Sequence, residues 1–107
     1  MKKLLATAAL LAVGSAHAVT PKTGIWWNPA ESGRGYALEV SGNTLVVAVY
    51  AYDAGGNALW YLASGPLTNN GTNFQSTLDK YDGGQCVTCD YTHPNLSGND
   101  GAIAIQF

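Results

Sequence analysis

The sequence predicts an all-β fold, a small antiparallel meander that is barrel-like or partly open and that follows a cleaved N-terminal signal peptide. Three observations support this prediction. Charged residues make up only 11% of the chain, Gly, Asn and Thr are abundant, and helix-forming residues are scarce after residue 18. Short apolar or alternating stretches also recur between clusters of turn residues, as in small β-proteins.

The N-terminus has the three parts of a secretory signal. Lys2 and Lys3 precede the apolar run Leu4 to Val13, and Ala16-His17-Ala18 forms an Ala-x-Ala cleavage site. The apolar run is about ten residues long, whereas a membrane-spanning helix needs roughly 20. We therefore expect residues 1–18 to be a signal peptide, residues 19–107 to be a single β-domain without a transmembrane segment, and the protein to be secreted or periplasmic in a bacterium.

The mature part is acidic, which bears on its partners. Its basic residues are Lys22, Arg34 and Lys80, against seven acidic residues. Such a chain lacks the basic surface that nucleic acids need, so we expect no nucleic-acid partner.

The first hairpin is predicted from Gly24 to Val40. Trp26 and Trp27 are adjacent, so in a strand they point to opposite faces, one toward the core and one toward the surface. Pro29 ends the strand, and Gly33 and Gly35 permit a tight return into the alternating strand Tyr36 to Val40.

A second hairpin follows. Thr44 to Tyr52 is apolar at both alternating positions, which predicts a strand covered on two sides. Asp53 to Asn57 has turn residues, and Ala58 to Ala63 is the returning strand.

The remaining chain has weaker signals. Thr72 to Leu78 is a candidate strand, Lys80 to Asp100 has the composition of a loop, and Gly101 to Phe107 alternates as a strand does. Sequential strands with short turns favour a meander that is closed or nearly closed into a barrel.

The segment Trp26 to Arg34 has two interpretations. In the functional one, the outward tryptophan and the Glu31/Arg34 pair form a rim that contacts a ligand. In the structural one, which we favour, Arg34 stacks on a tryptophan and pairs with Glu31, so that the loop is held against the sheet. Small sheets depend on such contacts because their cores are marginal.

The motif GIWWNPAESGRG, followed by LVVAVYAYDAGGNALWYLASGP, resembles a largely uncharacterised family of small secreted proteobacterial β-domains. The resemblance covers residues 24–66 and implies a family and a compartment but no chemistry. Family members continue beyond GAIAIQF with a further hairpin, so the resemblance makes this domain a candidate for C-terminal truncation. The Gly-x-Trp opening is also similar to the first strand of lipocalin and avidin barrels, which suggests their architecture only.

Cys86 and Cys89 form a CxxC motif. In an exported chain this motif favours a local structural disulfide. A zinc site with Asp90 and His93 is a weaker alternative, and thiol redox catalysis is weaker still because the flanking sequence has no helical pattern.

We expect no catalytic residues, no metal and no cofactor. His93 lies in a polar loop, and no nucleophile motif of the GxSxG type is present. Glu31 is in a predicted loop and Glu39 on a predicted strand, so they do not make a convincing glycosidase pair.

Aromatic residues are the remaining candidates for a ligand site. If Tyr50 and Tyr52 share a face with the outward tryptophan, they form an exposed patch of the kind that marks interaction sites, and Trp60 is a further candidate. The sequence thus predicts a binding or cell-envelope-associated module whose partner is a glycan, an envelope component or a protein. The alternatives are a structural module that packs against copies or partners, and a secreted enzyme inhibitor that presents the loop Pro29 to Arg34.

Overall fold

Six strands follow one another along the chain and pair in chain order. The computed structural model describes residues 18–107, so the predicted signal peptide lies almost entirely outside the described residues. The strands are β1 (Gly24–Trp26), β2 (Gly35–Ser41), β3 (Thr44–Tyr52), β4 (Ala58–Pro66), β5 (Asn73–Asp82) and β6 (Asn95–Gln106). A single 3₁₀ turn, Pro29–Glu31, lies between β1 and β2. The predicted all-β antiparallel meander is confirmed.

The sheet is not closed into a barrel, so the closed form of the prediction is wrong and the partly open form is right. The strand order is β1-β2-β3-β4-β5-β6, and β1 and β6 are the two edges. β1 has only three residues because Asn28 and Pro29 turn the chain away immediately after the tryptophan pair. So short a strand offers little backbone with which to complete a barrel.

The two faces of the sheet differ in burial. We call the face with the buried side chains the inner face and the opposite one the outer face. The core consists of apolar residues on and beside the inner face: Leu38, Leu45, Val47, Val49, Ala63, Leu67 and Phe74. Tyr50 and Tyr52, at the alternate positions of β3, are exposed. The expectation that β3 is covered on two sides is therefore wrong, because no second layer packs on the outer face within the described residues.

The C-terminal part contains more strand than the sequence predicts. β5 extends to Asp82 and β6 begins at Asn95, so the loop between them is shorter than the predicted Lys80 to Asp100. Gly98 and Gly101 have φ values of 135° and 99°, and the β5–β6 register shifts between Thr77 and Asp79 and between Lys80 and Tyr81. These irregularities hide the two-residue period on which the sequence prediction depends.

The segment before β1 is hydrogen-bonded to the turn between β4 and β5. The backbone N–H of Val19 donates to the carbonyl oxygen of Asn70 over 2.7 Å, in the turn between β4 and β5. Pro21 is buried. This contact brings the N-terminal residues across the inner face toward β2 and β6.

Candidate functional site

Aromatic side chains form a row across the outer face. Tyr50 on β3 is the direct partner of Trp60 on β4. Trp60 stacks on Tyr81 of β5, with ring centroids 5.9 Å apart and an angle of 12° between the ring planes. Trp27, at the β1 end, completes what we call the outer aromatic row: Trp27, Tyr50, Trp60 and Tyr81. Tyr50, Trp60 and Tyr81 lie on three neighbouring strands, and Trp27, Tyr50 and Trp60 are exposed to solvent.

Trp26 and Trp27 lie on opposite sides of the sheet, as the two-residue period predicts. Trp26 is paired with Tyr36 on the inner side, and its Nε1 donates to the carbonyl oxygen of Lys22 over 3.0 Å. A Cβ atom added at Gly35, which is the partner of Tyr50, would lie 3.7 Å from the Cβ atom of Trp27. Trp27 therefore covers Gly35 on the outer side.

Neither tryptophan is buried, which corrects the expectation that one of them enters the core. Trp26 remains 46% exposed although it lies on the inner side. The reason is the open sheet, since no strand pairs with the outer edge of β1 within the described residues.

The loop between β1 and β2 is held by an ion pair. Arg34 Nη2 lies 2.6 Å from Glu31 Oε2, the pair that both interpretations of this segment include. Asn28 adds a weak side-chain bond to Glu31 and accepts from the N–H of Ala30 over 3.0 Å. The pKa of Glu31 is lowered, mainly by the hydrogen bond that Arg34 donates. The positive charge of Arg34 lowers this pKa further. The predicted stacking of Arg34 on a tryptophan is not found among residues 18–107.

Two polar loops lie beside Tyr52, which is two residues from Tyr50 and on the same face of β3. Gly33 lies against Tyr52, since an added Cβ atom would be 3.5 Å from Cε2 of that ring. On the other side, Asp53 Oδ1 accepts from the N–H groups of Gly55 and Asn57, each over 2.9 Å. These bonds, chiefly the backbone bond from Asn57, lower the pKa of Asp53. The aromatic surface is thus flanked by ionised and hydrogen-bonding groups.

Tyr81, Asp53 and Asn57 are site residues that sequence reasoning missed. Leu62 is paired with Asp79, so two residues further along the antiparallel pair Trp60 meets Tyr81. This relation was hidden because Lys80 onward was assigned to a loop. Asp53 and Asn57 were recognised as turn residues next to Tyr52, but they were not considered as polar groups of a ligand site.

A second polar cluster lies on the inner face and joins three strands. Tyr61 Oη donates to Asp100 Oδ2 over 2.7 Å, and Lys80 Nζ lies 2.9 Å from Asp100 Oδ1. The hydrogen bond from Lys80, followed by that from Tyr61, lowers the pKa of Asp100. The hydrogen bond that Tyr61 donates to Asp100 raises the pKa of Tyr61. This cluster links β4, β5 and β6 and takes no part in the outer aromatic row.

The two cysteines lie in the exposed loop between β5 and β6. Their sulfur atoms are at disulfide-bonding distance and their Cα atoms 5.0 Å apart, in agreement with the predicted local disulfide. His93 Nδ1 forms a hydrogen bond of 3.1 Å with Tyr91 Oη. In the part of the chain that the structure describes, no group of three potential metal-binding side chains is found.

Glu31 is not suited to act as a general acid. Glu31 is held ionised by Arg34, whereas a general acid needs a raised pKa. Glu39 lies on β2 opposite Val46, on the same face of the sheet as the outer aromatic row.

No helix among residues 18–107 is long and apolar enough to cross a membrane. In comparisons with known proteins, no family model, curated protein or solved structure matches the chain, so the resemblance to exported β-domains stays a prediction.

Proposed function

We propose that this chain is an exported, non-catalytic binding domain whose outer aromatic row holds a saccharide chain of the bacterial cell envelope. The observation that carries the proposal is the Trp60–Tyr81 stack with Tyr50 beside it, three rings in a line on a face without a core. Exposed, contiguous apolar surface of this kind marks interaction sites.

The flanking polar loops support a saccharide in particular. A sugar presents apolar C–H faces and polar hydroxyl groups, so it needs flat apolar contacts together with hydrogen-bonding groups at the margin. The aromatic row supplies the contacts, and the two loops beside Tyr52 carry the polar groups of Glu31, Arg34 and Asn57. Export is supported by the N-terminal lysines, the apolar run and the Ala-His-Ala site.

Binding to a glycan array and to isolated peptidoglycan tests the proposal. We expect Trp60→Ala to weaken binding by about tenfold or more, because aromatic residues in the centre of a contact surface contribute most of the binding energy. Tyr91→Ala is the matched control, since Tyr91 is an exposed aromatic residue in the β5–β6 loop. It should leave binding unchanged, and both variants should keep their melting temperatures within a few degrees of the parent protein.

Unchanged binding in Trp60→Ala would contradict the proposed site. Absence of any glycan binding, together with oligomerisation that increases with concentration, would favour the structural module instead. Inhibition of a hydrolase by the purified domain would favour the inhibitor.

A further inference from the structure

Carboxylates lie on both sides of the outer aromatic row. On one side, Asp79 of β5 is paired with Leu62 of β4. It precedes Tyr81 by two residues, so it lies on the same face, about 7 Å along the strand from the stack with Trp60. Thr77 Oγ1 donates to Asp79 Oδ1 over 2.8 Å, which holds this carboxylate on the outer face.

Two further carboxylates belong to the same surface. Asp53 lies on the opposite side of the row from Asp79, in the turn directly after Tyr52, and its hydrogen bonds, chiefly the backbone bond from Asn57, lower its pKa and keep it ionised. Glu39 is exposed on β2. An occupant of the aromatic row is therefore exposed to negative charge from more than one direction.

The basic side chains do not neutralise this charge. Residues 18–107 contain three of them, and they are placed as follows: Arg34 is paired with Glu31, Lys80 is paired with Asp100 on the inner face, and Lys22 lies on the inner side. Within the described residues, then, none of the three outer carboxylates forms an ion pair with a basic side chain. The outer face retains a net negative charge beside its exposed rings.

Aromatic rings and carboxylates favour the same kind of ligand group. The face of a tryptophan or tyrosine ring attracts a cation, and the attraction is stronger for a cation than for any neutral polar group. Carboxylates attract a cation directly and repel an anion. Tyr50 and Trp60 expose their rings on this face, so both effects act on a ligand that lies across them.

We propose that the saccharide held by the outer aromatic row carries protonated amino groups, as a chain of glucosamine units does. This inference rests on the proposed function and names the class of ligand for the same site. The sugar rings pack on Tyr50, Trp60 and Tyr81, and the ammonium groups lie toward Asp79 on one side and Asp53 on the other. An acetylated, neutral saccharide makes the ring contacts without the charge attraction, and an anionic saccharide is repelled.

Titration calorimetry with three β-1,4-linked pentasaccharides tests the proposal on the purified protein. They share one backbone and carry an amino, an acetamido or a hydroxyl group at carbon 2 of each sugar, so only the first is charged. At about pH 5.5 the amino groups are protonated and aspartate is ionised. We expect the amino pentamer to bind at least about fivefold more tightly than either neutral pentamer at low salt, and about 0.5 M NaCl to remove most of this preference.

Two matched variants locate the effect. Asp79→Asn keeps an oxygen acceptor for Thr77 and removes the charge, and it should lower the ratio of amino to neutral affinity by about twofold or more. Asp82→Asn removes the same charge from an exposed position of β5 on the inner face, and it should leave the ratio unchanged. Equal changes in the two variants would overturn the proposal, since they would report only the net charge of the protein.

The remaining outcomes separate this inference from the proposed function. Equal binding of the three pentamers, or tighter binding of a neutral one, would overturn the inference and leave a saccharide-binding row in place. Binding of the amino pentamer that survives Trp60→Ala would also overturn it, because the charge would then act elsewhere. Tighter binding of pentalysine than of the amino pentamer would replace the saccharide with a cationic peptide. No binding of any pentamer, with no binding on the glycan array, would contradict the proposed function as well.

Discussion

Gly71 lies directly against the N-terminal segment at Val19. Its φ is 84°, and a Cβ atom added there would overlap the carbonyl oxygen of Val19. The neighbouring Asn70 accepts the N–H of Val19, so the overlap and the hydrogen bond involve the same short segment. Glycine is required at this position for two separate reasons, its backbone conformation and the lack of space.

We predict that Gly71→Ala lowers the free energy of unfolding by about 2 kcal/mol or more, because it adds a steric overlap to an unfavourable φ. Urea denaturation followed by far-UV circular dichroism measures this change. Gly56→Ala is the matched control, since Gly56 has a φ of 81° and no atom within 4 Å of an added Cβ. It should cost only about 1 kcal/mol, the penalty for the backbone conformation alone. Equal losses in the two variants would show that the contact with Val19 is not maintained in solution.

The hairpin of β3 and β4 is closed by a carboxylate. Asp53 accepts two backbone N–H groups and the side-chain amide of Asn57, and its own N–H donates to the carbonyl oxygen of Asn57 over 2.9 Å. The backbone bond from Asn57, followed by its side-chain bond, lowers the pKa of Asp53. A carboxyl group with a lowered pKa stabilises the folded state above its unfolded-state pKa. That contribution is lost as the pH falls through the lower, folded-state value.

We therefore predict that the stability contributed by Asp53 is complete near pH 6 and declines below about pH 4, where an unperturbed aspartate begins to protonate. Asp53→Asn keeps an oxygen acceptor but has no charge to lose. The difference in melting temperature between the parent protein and Asp53→Asn should accordingly be largest at pH 6 and shrink toward pH 2. Glu31 and Asp100 also have lowered pKa values, but they are present in both proteins and cancel in this difference. A constant difference across this range would contradict the prediction.

Local signals made some elements predictable and others not. β2 was predicted from its alternating side chains, β3 from its continuous apolar run, and β4 as the strand that returns after the Asp53 turn. The start of β6 was not, because Gly98 and Gly101 interrupt the period and the strand there is defined by pairing with β5. A strand held by its partner rather than by its own pattern leaves no clear local signal.

The molecule depends on a small core on one face of one sheet. Phe74 is 2% exposed and is the largest of the fully buried side chains. We predict that Phe74→Ala lowers the free energy of unfolding by about 3–5 kcal/mol, a large part of the total for a domain of this size. Leu96→Ala is the control, because Leu96 is 62% exposed and its truncation should cost no more than about 0.5 kcal/mol. Chemical denaturation distinguishes the two, and a small loss in Phe74→Ala would mean that the core is looser than described.

The parts of the candidate site that depend on local sequence were predicted, and the parts that depend on distant strands were not. The separation of Trp26 from Trp27 follows from strand alternation alone, and the Glu31–Arg34 pair follows from their proximity in the chain. Closure of the sheet and the stacking of Trp60 on Tyr81 depend on how distant strands are placed. Neither could be read from one segment, so the exposure of Trp26 and the full length of the aromatic row were not foreseen.

The chain-order pairing of the strands has a consequence for how the protein folds. Each strand from β2 to β6 finds its partner in the strand just before it, so chain delivered from the N-terminus can extend the sheet one strand at a time. Pairing between near neighbours in sequence keeps the entropy of loop closure low and favours rapid folding. The exception is Val19, whose hydrogen bond to Asn70 cannot form until the much later residue Asn70 is in place. The N-terminal segment is therefore fixed only after the turn between β4 and β5 has formed, although it is the first part of the domain to be synthesised.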